Sequence, residues 1–454
     1  MIRANAIAQH TLEGKLRNGY QLLGWETGDS NEIGFHSQYA NGAVLFDGFA
    51  HKMTFSKTGG GKGISAAIPE LQIHPGPMVA FDTNGELYAV THEWRRKHFG
   101  QEIILFDPYG ICDPKHRSRY NPFDIARLDN HPIHQAASML CSLLMGTTLR
   151  SAISRNSSND EFWQDSAFSA LTGYIGCALE GKLPGAPNIP SIRSFLKSDD
   201  PIYNTAKILD EKKPSKAIHE ELSPFIQTTD VTRSGILSTL LSHFRGISGD
   251  GIDDLLSETS FDLKRFVDGT LPATIYLVIP PEQLTAQSKL VRLIIGSLVA
   301  ALFTRRYIPK VNTLIQIDEA ATLGMFEPFR MGVTLLRGNG VMFSTMFQDI
   351  DQVFRNYDDA KTLINNTSII RILGASNYGQ ANTFAELFGV SPKKLMNLEP
   401  DEQLLIIDGR LTQCRRLNYL KDEFFRGRFA PNPRYSNRDP DYEQSSRSPS
   451  QFRS

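Results

Sequence analysis

A lysine that follows three glycines is a phosphate-binding signal. The run Ser56-Lys57-Thr58-Gly59-Gly60-Gly61-Lys62-Gly63-Ile64 lies between a strand-like apolar stretch and a helix-like one. Three successive glycines let the backbone curl until its N–H groups face an anion. The start of the next helix adds its positive end, and Lys62 is placed to bridge a β- and a γ-phosphate. Lys57, Thr58, Gly59, Gly60, Gly61, Lys62, Gly63 and Ile64 are therefore the candidate ligands of ATP. The run departs from the pattern G-x-x-x-x-G-K-[ST] at two places. Ser56 replaces the first glycine, which is tolerable where no positive φ is needed. Gly63 replaces the hydroxyl residue, so Mg2+ would lean on water and another carboxylate. The competing reading is a glycine-rich turn with a chance lysine.

A second constellation supplies that carboxylate. Asn312 to Glu319 is an apolar stretch ending in two acids. Asp318 is the candidate Mg2+ holder, and Glu319 the candidate base for an attacking water. Val341 to Gln348 follows as another strand, and Gln348 is the candidate γ-phosphate sensor. Arg337, in Leu-Leu-Arg-Gly-Asn-Gly, can act as an arginine finger on a neighbouring subunit, with Arg330 as the next candidate. Asp82 and Glu86 either face the metal and water or simply form a turn and a helix start.

These residues need a sheet to bring them together. His51 to Ser56, Pro77 to Asp82 and Glu102 to Asp107 read as strands, two of them ending in carboxylates, which suggests central strands of a parallel sheet. Gly42 to Gly48 reads as a further strand. Residues 133–262 show helical periodicity and almost no strand pattern. Strand texture resumes at Ala273 to Ile279, followed by an apolar helix over about 284–306. It continues at Thr313 to Asp318, Val341 to Gln348, Ser368 to Leu373 and Gln403 to Ile407. The fold class is α/β. The expected division is 1–132, an N-terminal segment and the first part of a nucleotide-binding domain; 133–262, an all-α insertion; 263–425, the second part; and 426–454, a disordered tail rich in Pro, Ser, Arg and Asn.

Composition narrows the function classes. Lys and Arg total 48 against 49 Asp and Glu, which excludes a bulk polycation but not a basic channel lining. Cys112, Cys141, Cys177 and Cys414 are scattered, with no C-x-x-C pair and no histidine at ligand spacing, so zinc and redox chemistry are not expected. The amino terminus lacks the apolar core of a secretory signal. The longest apolar stretch, Leu290 to Phe303, contains Arg292 and reads as a buried helix.

The order of motifs resembles the type IV secretion coupling-protein family, the TraG/TraD group of conjugation ATPases. Lys57-Thr-Gly-Gly-Gly-Lys-Gly63 is similar to that family's phosphate loop. Asp82-Thr-Asn-Gly-Glu86-Leu resembles its D-x-x-G-E-L, and Phe106-Asp-Pro108 with Arg119-Tyr-Asn-Pro-Phe123 resembles its F-D-P and R-Y-N-P-[LF] elements. Glu161-Phe-Trp163, Thr232-Arg-Ser-Gly-Ile-Leu-Ser-Thr239, Ile275-Tyr-Leu-Val-Ile-Pro-Pro281 and Asp318-Glu-Ala-Ala-Thr-Leu-Gly324 continue the match, as does Gln348. The similarity runs over roughly 35–425; single motifs are loose, but their combined order is specific.

The resemblance implies a RecA-like P-loop NTPase domain of the wider HerA–FtsK type with an inserted all-α domain. It implies a homohexamer that hydrolyses ATP with Mg2+ and delivers DNA, through a central channel, to a type IV secretion or conjugation channel. Relaxase or effector proteins and the channel components are the implied partners. A nucleotide-binding recruitment adaptor with weak turnover, motivated by Ser56 and Gly63, and a DNA-processing motor unconnected with secretion are the alternatives. The resembling proteins commonly carry transmembrane helices ahead of the motor, whereas residues 1–50 here hold none. The expected place is therefore cytoplasmic, or peripheral at the inner face of the cell membrane, for either a soluble variant or an incomplete chain.

Overall fold

A computed structural model of the chain describes residues 12–27, 42–128, 132–146 and 158–433. Its strands are β1 (Gln21–Trp25), β2 (Ala43–Phe46), β3 (Lys52–Phe55), β4 (Met78–Asp82), β5 (Glu102–Phe106), β6 (Ala273–Val278), β7 (Thr313–Ile317), β8 (Val341–Phe347), β9 (Ile369–Ile372), β10 (Glu402–Ile407) and β11 (Arg410–Arg415). They form one sheet in the order β2-β1-β11-β10-β9-β3-β8-β7-β4-β6-β5. From β9 to β5 all neighbours run parallel, and β10, β11, β1 and β2 join antiparallel. The chain is thus α/β, as its alternating texture predicts.

Side chains alternate across each central strand, as the two-residue period requires. Val79 and Phe81 of β4, Ile315 and Ile317 of β7, and Phe343 and Phe347 of β8 enter the core on one face. Met78 and Ala80, Leu314, and Met342 and Met346 enter the core on the other. The second face is covered by the helical segment 63–73, the helix Glu86–His98 and the segment from Leu417 to Phe429. The first is covered by the helix Leu284–Phe303 and by the helices between β5 and β6.

Between β5 and β6 the described residues form helices and no strand. The longest, Ser158–Leu179, packs against Ile133–Met145, Lys216–Gln227 and Asp230–His243. This helical layer shares one continuous core with the sheet rather than standing apart from it. The sequence elements Arg119-Tyr-Asn-Pro-Phe123 form the seam. Tyr120 stacks on Phe106 at 5.6 Å and its hydroxyl donates to Ser297 Oγ at 2.9 Å, while Asn121 Oδ1 accepts the N–H of Phe123. Gly235 lies so close to Trp163 that a Cβ there would come within 2.6 Å of the indole. Two of the motifs singled out in the sequence therefore meet as a packing contact.

Several expectations are corrected. β5 is the outermost strand and not a central one, with Glu102 exposed. β1 and β11 have no counterpart in the sequence reading. β11 carries mostly polar residues, yet it is set by a two-residue turn at Asp408-Gly409, both at positive φ, that pairs Ile407 with Arg410. Asp-Gly between strands is the standard signal for such a hairpin. The tail expected from residue 426 is packed through its first residues: Arg428, Phe429 and Asn432 are buried, and Ala430 N–H donates to Val90 O at 2.9 Å. Residues 434–454 lie outside the described residues. Pro281–Phe303 is the one described helix long and apolar enough to cross a membrane, and most of it is buried in the core.

Candidate active site

Strand register puts the candidate residues on one edge. β3 pairs with β8 so that Phe55 faces Phe347, β8 pairs with β7 so that Thr345 faces Ile317, and β7 pairs with β4 so that Ile317 faces Phe81. Ser56, Gln348, Asp318 and Asp82 therefore follow at the carboxyl ends of adjacent parallel strands, where open α/β sheets bind ligands.

The glycine loop fits that edge for steric reasons. Gly59 and Gly61 have φ of +73° and +87°, which residues with a Cβ adopt only at a cost. A Cβ on Gly60 would lie 2.5 Å from Ser56 Oγ. Ser56 itself has no positive φ, so its replacement of the pattern's first glycine is accommodated. Lys57, Thr58 and Gly59 are exposed. The helical segment that follows opens with a π turn, Gly63–Ala67, before α-helix Ile68–Ile73. Pro69 lacks an N–H and would crowd the carbonyl four residues back in a regular helix, and the wider turn relieves this. Around Gly63 a Cβ would meet nothing within 4 Å, so the space of the missing hydroxyl residue is open.

Lys62 joins the loop to the acid pair. Its Nζ donates to Glu319 Oε2 at 2.5 Å and to Asp318 O at 3.1 Å, and lies 3.4 Å from Asp318 Oδ1. Burial works against the ammonium, but Asp318 and Glu319 outweigh it and hold its pKa above the ordinary lysine value. Gln348 Nε2 donates to Glu319 Oε1 at 2.9 Å. Gln348 is held in turn, its N–H donating to Gln352 Oε1. Burial raises the pKa of Asp318; Lys62 opposes the rise and Glu319 adds to it.

Asp82 is at this edge but is engaged otherwise. Its two oxygens accept the N–H groups of Asn84 at 3.1 Å and Tyr88 at 2.9 Å, so it shapes the turn into Glu86–His98. Burial pushes its pKa up to about 7, with those two N–H groups pulling the other way. Glu86 Oε1 accepts from Asn432 Nδ2 at 2.6 Å. Both acids thus take the turn and helix-start reading.

Arg337 stands apart. It precedes β8 on the opposite edge, exposed, and its charge is felt by His51 ahead of β3. The seven residues of β8 span about 20 Å between it and Gln348. Arg330, the alternative, is committed within its own subunit to Glu327 and Asp359 at 2.5 and 2.8 Å.

Arg416 was not among the sequence candidates. Its guanidinium donates to Gly60 O at 2.9 Å, Leu373 O at 2.7 Å and Glu402 O at 2.6 Å, which ties the loop to the ends of β9 and β10. Nothing in the residues around Arg416 signals this, because its partners are remote in sequence. Arg416→Ala is expected to weaken nucleotide binding about tenfold, as loss of a charged hydrogen bond of some 1.5 kcal/mol predicts, while the melting transition stays cooperative. Titration with a fluorescent nucleotide checks this, and unchanged affinity would show that the loop keeps its shape unaided.

A glycine loop after one parallel strand, with an acid pair and a glutamine on the strands beside it, defines a RecA-like P-loop protein. A family model described as Type IV secretory system Conjugative DNA transfer matches residues 20–391, and the chain belongs to that family. It is 24% identical over 357 residues to the conjugal transfer protein TraG of Escherichia coli, covering 74% of this chain and 52% of that protein. With the type IV secretion system-coupling protein VirD4 of Bartonella quintana it shares 23% identity over 318 residues, covering 69% and 48%. The chain spans about half the length of the curated relatives it matches. Among solved structures, the unbound bacterial conjugative coupling protein TrwBdeltaN70 superposes with a TM-score of 0.61 at 15% identity, over 80% of this chain and 84% of that one. The plasmid coupling protein TrwB in complex with ADP and Mg2+ gives 0.60 at 14% identity, over 80% and 84%.

Proposed function

We propose that this chain is an ATP-hydrolysing coupling protein that drives DNA, or nucleoprotein and protein substrates, toward a type IV secretion or conjugation channel. The observation that carries the reading is the linked set Lys62, Glu319 and Gln348 beside the glycine loop. Family membership supports the transfer role.

The residues fit a nucleotide with Mg2+. Asp318 Oδ1 is buried and makes no hydrogen bond among the described residues; its ion-pair partner Lys62 stands 3.4 Å away, so the oxygen becomes available to a cation or its water once Lys62 is drawn onto the phosphates. The open space at Gly63 leaves room for a water where other loops supply a hydroxyl. Bound Mg2+ would supply charge neutralisation on the phosphate oxygens. The positive-φ glycines point N–H groups at the phosphates, and Lys62 Nζ binds the β- and γ-oxygens. Drawn onto them, Lys62 releases Glu319, whose carboxylate then accepts a proton from the attacking water. Gln348 Nε2, donating to the other carboxylate oxygen, keeps Glu319 oriented and senses the γ-phosphate. Arg337 completes the neighbouring site in a homohexamer, and DNA occupies the central channel. The protein acts in the cytoplasm or at the inner face of the membrane, with relaxase or effector proteins and channel components as partners.

Phosphate release by the purified chain, with and without DNA, tests this reading. Glu319→Gln is expected to bind ATP at least as well as the parent, because Lys62 loses its competing carboxylate. Its turnover should fall about 10²–10⁴-fold, since an amide cannot take the water's proton. Weak ATP binding with normal turnover per bound nucleotide would remove Glu319 from the role of base.

A further inference from the structure

Away from the phosphate loop, helix Glu86–His98 and the short turn Pro114–His116 bring two imidazoles and a carboxylate together. One donor atom from each of His92, Glu93 and His116 lies within 4.8 Å of the others. His92 Nε2 is 3.7 Å from Glu93 Oε1. Liganded to one tetrahedral ion at about 2.1 Å, such donors would stand roughly 3.4 Å apart, so modest side-chain rotation closes the site.

The surroundings set the ligand atoms as a metal requires. His92 Nδ1 lies 2.8 Å from Tyr88 O. A carbonyl only accepts, so Nδ1 carries the proton and Nε2 presents its lone pair to Glu93. A ring N–H held by a backbone carbonyl is the usual outer-shell partner of a metal-binding histidine. The Tyr88 ring stacks on the His92 imidazole at 4.4 Å and fixes its plane. Among the described residues, His116 Nε2 is buried and has no hydrogen-bond partner, a costly state for a polar nitrogen. Glu93 Oε2 is held by Lys97 at 2.8 Å and Arg96 at 3.1 Å, while Oε1 takes only a longer contact from Arg96 at 3.4 Å and faces His92 Nε2 at 3.7 Å.

We propose that His92, Glu93 and His116 form a site for a zinc-type divalent ion, with water in the fourth position. Two imidazoles and one carboxylate suit Zn2+ better than the hard, oxygen-seeking Mg2+. Burial disfavours the charged form of the His116 ring, and nearby His92 and Lys115 act in the same direction. Hydrogen bonds from Lys97 and Arg96 bring Glu93 down to about 2, so its carboxylate is ionised. A bound ion would link two elements of the fold. It would pin the segment after edge strand β5 to the helix whose first turn is shaped by Asp82. It is independent of the phosphate-loop reading, since no residue is shared.

The test is a Co2+ titration of tag-free, chelator-stripped full chain, read by its visible d–d absorption, followed by Zn2+ displacement and calorimetry. One tight site per chain with tetrahedral-type absorption is expected, together with a rise in melting temperature on adding Zn2+. His116→Ala and Glu93→Gln should each weaken binding by at least about tenfold, and Asp318→Asn should leave it unchanged. Glu93 sits on the helix surface, so its variant reports even where removal of His116 impairs folding. Absence of a stoichiometric site in the parent chain would overturn the proposal. So would affinity unchanged in both Glu93→Gln and His116→Ala.

Discussion

Lys62→Ala is expected to abolish ATP hydrolysis while leaving the chain folded. In the nucleotide-free protein the Lys62 ammonium is the counter-charge of Asp318 and Glu319. With phosphates present it is the main side-chain cation on the reacting group. Loss of a preorganised charge contact of this kind costs about 3–4 kcal/mol of transition-state stabilisation, or roughly 10²–10³ in rate. Alanine also leaves two acids facing each other and the incoming phosphates, which raises the loss further. Phosphate release, measured beside a melting curve, separates the two effects. A folded variant that hydrolyses ATP at the parental rate would remove the glycine loop from the site.

Arg337→Ala should be as damaging, although Arg337 is nowhere near its own phosphate loop. It stands at the amino-terminal end of β8, whereas the site is at the carboxyl ends of the strands. It is exposed, and among the described residues its side chain makes no hydrogen bond or ion pair, unlike that of Arg330 with its two carboxylates. A guanidinium there is too far from its own phosphate loop, so the proposed finger would have to serve a neighbouring subunit. Such fingers contribute about 10³–10⁵ in rate. Rings of Arg337→Ala alone and of Lys62→Ala alone are expected to be nearly inactive. Mixed rings should regain activity, because some interfaces then pair an intact Arg337 with an intact Lys62. Normal hydrolysis by Arg337→Ala alone would exclude the finger. Mixed rings that stay silent after proven subunit exchange would exclude independent sites completed in trans.

The glycine loop, the acid pair and the glutamine were legible because each is a local event. A glycine at positive φ, a strand that ends in Asp318-Glu319 and an apolar run before Gln348 are written in contiguous residues. So were the strands that carry them, because burial on both faces leaves near-continuous apolar runs. The edge position of β5 was not legible, since its Ile-Ile-Leu-Phe is as apolar as any central strand. Strand β11 was hidden by its polar residues, although its Asp-Gly turn was in plain view.

What chain composition and spacing could not yield is who meets whom. Arg416 reaches Gly60 across 356 positions because β10 and β11 return beside β9. His92 and His116 have no ligand spacing in the sequence and come together only because a helix and a turn pack over the same end of the sheet. Lys62 meets Glu319 because β8 and β7 take the places beside β3 in that order. Periodicity decides that a segment is a buried strand. Its neighbours are chosen by the competition of all such strands for the same interior, a contest that no local stretch of residues encodes.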